Sequence, residues 1–131
     1  MTSLKDYFET TKGFGVFSTA DQNGVVDSAV YSRPHMMEDG TIAFIMNDRL
    51  SHRNLQSNPH ASYLFREGAE GFNGKRLFLT KVREEQDSAM LDQLKRRSYP
   101  NEKPYQGPKF LVFFKIDKEL PLIGPGEEEA D

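Results

Sequence analysis

The chain has no cysteine and no tryptophan. Without thiols, neither a disulfide framework nor a thiolate metal site can form. Nowhere do about 18 apolar residues run together, the length a spanning helix needs, so no membrane partner is expected. The N-terminus, Met1-Thr2-Ser3-Leu4-Lys5-Asp6, has no basic segment leading into an apolar run, which argues against a secretory signal. A cytoplasmic protein is the expectation. Charge of a single sign is lacking too. The net charge is −3, and the run Glu127-Glu128-Glu129-Ala130-Asp131 holds enough acid to account for it. Nucleic-acid-binding domains are usually distinctly basic, so no nucleic-acid partner is expected.

What is present fits one domain of 131 residues. Hydrophobic residues make up 37%, including ten Phe and five Tyr. That share is somewhat low for a globular chain and suggests a thin core, completed by a second subunit or a ligand. The reading places the domain at residues 1–120 and an acidic, disordered tail at 121–131.

Turn and periodicity signals give the order of elements. Residues 3–11 read as a short helix, with Ser3 and Asp6 in capping-box spacing. Strands follow at Phe14–Ala20 and Val25–Arg33, joined through Asn23-Gly24, a type I′ hairpin signal. Pro34 stops the second strand. Thr41–Asn47 is almost wholly apolar, as in a strand buried on both faces. Asp48–Asn58 reads as one or two helical turns ended by Pro59. Ala61–Arg66 and Lys75–Val82 are strands, the latter alternating Arg76, Phe78, Thr80 and Val82 against Leu77, Leu79 and Lys81. Glu84–Arg97 reads as a helix with Met90, Leu91 and Leu94 inward and Lys95-Arg96-Arg97 at its C-terminus, as the helix dipole favours. Phe110–Ile116 is the sixth and last strand. The class is mainly β (α+β), with antiparallel strands and flanking helices.

Chemical motifs are few. His35, His52 and His60 have neither the spacing nor the carboxylate neighbours of a metal shell, so no metal is expected. No nucleophile elbow, phosphate loop or dinucleotide fingerprint occurs. Taken singly, Arg33, Arg53 and Arg76 read as solvated surface arginines and Ser51 as a helix N-cap. Catalytic residues remain unknown.

An ordered set of motifs carries more. It runs from Tyr31-Ser32-Arg33-Pro34 through Gly40-Thr41-Ile42-Ala43-Phe44-Ile45-Met46-Asn47 to Ser51-His52-Arg53-Asn54-Leu55-Gln56-Ser57-Asn58-Pro59 and a strand. This series resembles the FMN-binding split barrels of the pyridoxamine 5'-phosphate oxidase-like family. There a Ser-x-Lys or Ser-x-Arg heads a short helix, and an Asn-Pro follows before an apolar strand. The likeness covers about residues 5–116. It departs at His52, where the oxidase proper usually has Arg, at Arg76, where it has Gln, and in lacking the oxidase's C-terminal substrate segment. A true pyridoxamine phosphate oxidase is therefore not expected.

The resemblance implies a six-stranded antiparallel split β-barrel, FMN as cofactor, and a homodimer with flavin in the interface groove. It implies an oxidoreductase acting on a small-molecule substrate, with NADH or NADPH as a candidate electron donor. The alternative is a non-catalytic module on the same fold, holding a flavin, a deazaflavin or haem. For FMN, the phosphate calls for Arg forks and a helix N-terminus, which Ser51, Arg53 and Arg33 could supply, with His52 beside them. Tyr31 and Ser32 complete the strand end. Backbone at Ile45, Met46 and Asn47 could meet the pyrimidine edge. Lys75 or Arg76, reaching across the subunit boundary, would place positive charge near the ring and raise its potential.

Overall fold

A computed structural model describes residues 3–94 and 107–125. Lys95-Arg96-Arg97 and the run from Glu127 to Asp131 lie outside the described residues. The elements, in chain order, are α1 (Leu4–Thr10), β1 (Gly13–Ala20), β2 (Val26–Val30), β3 (His35–Met36), β4 (Ile42–Asn47), α2 (Leu50–Ser57), β5 (His60–Glu67), β6 (Gly74–Gln86), α3 (Ala89–Leu94) and β7 (Lys109–Pro121). The seven strands form one sheet in the order β2-β1-β5-β6-β7-β4-β3, with every neighbouring pair antiparallel. Six strands were expected; the seventh is β3, a two-residue strand just after Pro34.

Aromatic contacts show how the sheet coils. Phe17 of β1 meets Phe44 of β4 at 4.8 Å between ring centroids, although three strands separate them in the sheet order. Phe44 also meets Tyr63 of β5 at 4.9 Å. Only a curled sheet brings such distant strands face to face. The buried inner face carries Phe17, Phe44, Met46, Tyr63, Phe65, Leu77, Leu79, Val112 and Phe114, with Phe8 of α1 closing one end. A smaller cluster of Ala43, Leu91, Leu111 and Phe113 lies outside the barrel beneath α3. The apolar run at Ile42–Met46 therefore serves two cores, as a strand buried on both faces should.

Local signals explain several elements. The Asp6 amide donates to Ser3 Oγ, so the cap on α1 forms as expected. The β1–β2 hairpin differs from the expected type I′ turn. Gly24 has φ +82° but Asn23 stays at negative φ, and the Asp21 carboxylate accepts from the Asn23 and Val25 amides. That is a type I turn followed by a left-handed glycine, in which the Asp side chain fixes the corner.

The largest departure is at Glu84–Gln86, expected to open a helix. These residues instead extend β6, pairing with Val112, Leu111 and Phe110 of β7. Irregularities between Phe78 and Leu79 and between Lys81 and Arg83 bend the strand so that it can follow the barrel. Asp87, at φ +48°, then turns the chain, and α3 begins only at Ala89. Met90, expected to face inward, is exposed, while Leu91 is buried.

Candidate functional site

The two ends of the sheet order do not pair with each other. β2 is an edge strand, and β3 pairs with only Ala43 and Ile42 of β4. Beyond β3, the edge of β4 from Phe44 to Asn47 has no partner strand among the described residues. This is the split in the barrel. Backbone donors and acceptors along such an edge suit a flat polar ligand.

Side chains of the expected slot are already committed. Met46 lies in the inner core, and Ile45 packs on the outer cluster below α3. Asn47 ends the strand half-buried. What Ile45, Met46 and Asn47 can offer is backbone.

Only Asp48 and Arg49 separate β4 from α2, so the helix starts at the split. Arg49, not Ser51, is its N-cap, and it makes no side-chain capping bond. The first-turn amides have no acceptors within the helix by geometry. Ser51 lies within that turn, buried, with its hydroxyl beside the Tyr31 phenol at the end of β2. Burial pushes the Tyr31 phenol above its ordinary pKa, against the opposing pull of Ser51 and of the Arg49 guanidinium, while Asp27 adds to the rise. Tyr31 thus joins the β2 end to the start of α2, and its ring lies on Phe17 and Phe44.

A glycine makes this arrangement possible. A Cβ on Gly15 would sit 2.0 Å from the Tyr63 hydroxyl, which donates to the Ser32 carbonyl at 3.2 Å and the Tyr31 carbonyl at 3.4 Å. The backbone of Tyr31 and Ser32 is therefore fixed from inside the barrel.

The expected arginines separate. Arg53 is 69% exposed and lies 3.9 Å from Asp48, on the same turn as Ser51. Arg33 instead ends α1: its Nη1 donates to the carbonyls of Phe8 at 2.8 Å and Thr11 at 3.2 Å, a cation at a helix C-terminus. Lys75 pairs with Glu119 at 2.8 Å, and Arg76 donates to the carbonyls of Pro121 and Gly124. Arg76 and Lys75 stand eight and nine residues along β6 from Glu84, where the strand meets α2. That spacing is up to about 30 Å at strand rise, so within one chain they do not join Ser51.

His52 is neither solvated nor turned to the split. It is buried, stacked on Phe110 at 3.7 Å and 14°, and its Nε2 lies 3.0 Å from Glu84 Oε2. Gln56, one turn on, donates to Glu84 Oε1 at 3.1 Å, and Lys81 pairs with the same carboxylate. Burial alone would raise Glu84, but hydrogen bonds from Lys81, His52 and Gln56 outweigh it and hold its pKa at about 2. His52 Nδ1 is 3.5 Å from Asp48 Oδ1 and makes no hydrogen bond. On the opposite side of α2, buried Asn54 donates to Thr19 of β1 at 3.0 Å.

Glu84, Gln56, Asn54, Tyr63 and Arg49 were not foreseen. The four-residue spacing of His52 and Gln56 did signal one shared helical face. Their partner was hidden because Glu84 reads locally as a helix start. Among the described residues, no group of three His, Cys, Asp or Glu side chains could hold a metal ion.

The sequence matches no family model, and no curated protein matches it. Solved structures do. An FMN-binding protein from Syntrophomonas wolfei aligns with TM-score 0.72 and 22% identity over 92% of this chain and 84% of that one. A candidate pyridoxamine 5'-phosphate oxidase from Lactobacillus delbrueckii gives 0.62 and 13% over 92% and 93%. HutZ, the haem storage protein from Vibrio cholerae, gives 0.57 and 17% over 90% and 91%. The chain therefore has the split-barrel fold of the FMN-binding, pyridoxamine 5'-phosphate oxidase-like proteins.

Proposed function

We propose that this protein binds FMN in the split between β2 and β4 and serves as an oxidoreductase. The observation that carries the reading is the open edge of β4 from Phe44 to Asn47, which leads within two residues into the uncapped first turn of α2. Ser51, buried in that turn, lies beside Tyr31 at the end of β2. The phosphate of FMN carries close to two negative charges at neutral pH. The α2 amides, the Ser51 hydroxyl and the Arg49 and Arg53 guanidinia would receive it. Backbone from Phe44 to Asn47 would meet the ring edge. Bound flavin supplies the hydride or electron transfer, with NADH or NADPH as donor to a small-molecule substrate. The chain's own part is to bind, orient and set charge around the ring.

A homodimer belongs to this reading. The outer face of the sheet carries Val30, Val16 and Leu64 in register across β2, β1 and β5, with Arg76 next on β6. Val30, Leu64, Phe14 and Phe78 are exposed there. Such an apolar face is a natural surface for a second copy. Pairing across it would let Lys75 and Arg76 serve the partner's split, which they do not reach in their own chain. The lack of cysteine suits a reducing compartment, and the cytoplasm is the proposed location.

The test is direct. Purified protein should be yellow, or should take up added FMN, and the loaded form should bleach on mixing with NADH or NADPH. A colourless protein that takes up no FMN would refute the reading. The likeness to HutZ favours a second reading, haem storage on the same fold. A sharp haem band after haem addition, with no flavin uptake, would select it.

A further inference from the structure

We propose that Glu84 is a positioning residue for the anion seat at the start of α2. Acting through His52 and Gln56, it sets the preference for phosphorylated over unphosphorylated flavin. The inference rests on the FMN reading above and names what orients the site.

The helix cannot orient itself. It has eight residues and no side-chain cap, and helices this short are marginal without tertiary contacts. Leu55 buries in the core, but one apolar contact leaves rotation about the helix axis weakly defined. Two polar grips fix that rotation from opposite sides. Asn54 holds Thr19 on β1. His52 and Gln56, one turn apart on the same face, both hold the carboxylate of Glu84 on β6. Glu84 is itself fixed by Lys81, and Phe110 backs the His52 ring. Ser51 precedes His52 in the chain, so any rotation that moves His52 moves the Ser51 hydroxyl as well. A turn of roughly 20° displaces an atom about 5 Å from the axis by about 1.5–2 Å, which is enough to break a hydrogen bond. Removing the shared carboxylate leaves His52 Nε2, Gln56 and Lys81 without their common acceptor. The helix then keeps only the Asn54 grip against rotation.

The experiment compares FMN with riboflavin on the full-length protein, reading flavin fluorescence and checking the fold by far-UV circular dichroism. Riboflavin shares the ring and lacks the phosphate, so the ratio of the two affinities isolates the seat. Glu84→Ala should weaken FMN roughly tenfold while riboflavin changes by less than about threefold, in the range of one charge-assisted hydrogen bond. Glu84→Gln keeps an acceptor for His52 and should recover most of the FMN affinity. Gln56→Ala, at an exposed position, should give a smaller loss of the same kind; with Glu84→Gln it decides the matter if Glu84→Ala does not fold. An FMN-to-riboflavin ratio within about twofold of wild type in folded Glu84→Ala, or an unchanged ratio in Gln56→Ala where Glu84→Ala does not fold, overturns the proposal, as does equal weakening of both ligands. Wild-type protein that binds neither flavin would fail the cofactor reading itself, an outcome visible before any variant is made.

Discussion

At one end β6 presents Lys75 and Arg76, and at the other Lys81, Arg83, Glu84 and Glu85. The first pair is spent along the chain's own C-terminal segment. Lys75 reaches Glu119 and lies 4.9 Å over the Tyr7 ring, while Arg76 fastens the backbone at Pro121 and Gly124. The Tyr7 phenol, whose pKa is raised first by burial and then by its bond to Glu67, closes that end of the barrel. At the second end Arg83 lies over Phe113 at 3.7 Å and pairs with Glu85, leaving Glu84 turned toward α2. Both ends carry a lysine and an arginine, but with different neighbours. One fastens an exposed strap, where ion pairs contribute little, and the other holds a helix against the split through partly buried bonds. Placement, not residue type, gives a charge its consequence.

The comparison can be broken most forcefully at Phe110, which backs the α2 grip. Phe110→Ala should cost about 3 kcal/mol of stability by denaturant unfolding, the low end for a buried phenylalanine. A loss below about 1 kcal/mol would mean that the His52 stack is not holding the helix. Acid should act next at the same end. The Glu84 carboxyl is held at about 2 against an ordinary 4.5, so its contribution is present above 4.5 and is lost as pH falls toward 2. Amide exchange within α2, corrected for its intrinsic rate, should accelerate across that window relative to the Leu122 amide, which bonds Gly74 at the opposite end. Arg53→Ala should leave stability unchanged, because its side chain is 69% exposed, yet weaken FMN by about 1.5 kcal/mol in an equilibrium titration. Arg76→Ala should have the smallest effect, within about 1 kcal/mol of global stability, with faster exchange at Leu122 as its local sign. A larger global loss would erase the contrast between the two ends.

Much of the strand order is legible in the amino-acid sequence. Alternation at Leu77 and Leu79, the apolar run of β4 and the Asn58-Pro59 stop each reflect forces acting within a few residues, and each forms where the pattern puts it. The turn at Asn23-Gly24 and the element at Glu84 do not follow their local signals. At the first, the Asp21 carboxylate supplies an alternative set of hydrogen bonds. At the second, pairing with Leu111 and Val112 outweighs a favourable helix start. The candidate site divides in the same way. Ser51 and Tyr31 do meet, whereas Arg33 is taken by α1 and His52 by Glu84.

Outside the stretch from Glu84 to Met90 and the turn at Asn23-Gly24, the sequence by itself determined which segments extend and which coil, because those choices depend on neighbours one to four positions away. It also set the balance of charge and the chemistry on offer. Tertiary structure alone decided that Glu84 would find His52 and Gln56, that Gly15 would yield space to Tyr63, and that the edge of β4 would stay open beside α2. These pairings join residues dozens of positions apart, and a curled sheet fixes them only once all its strands are in place.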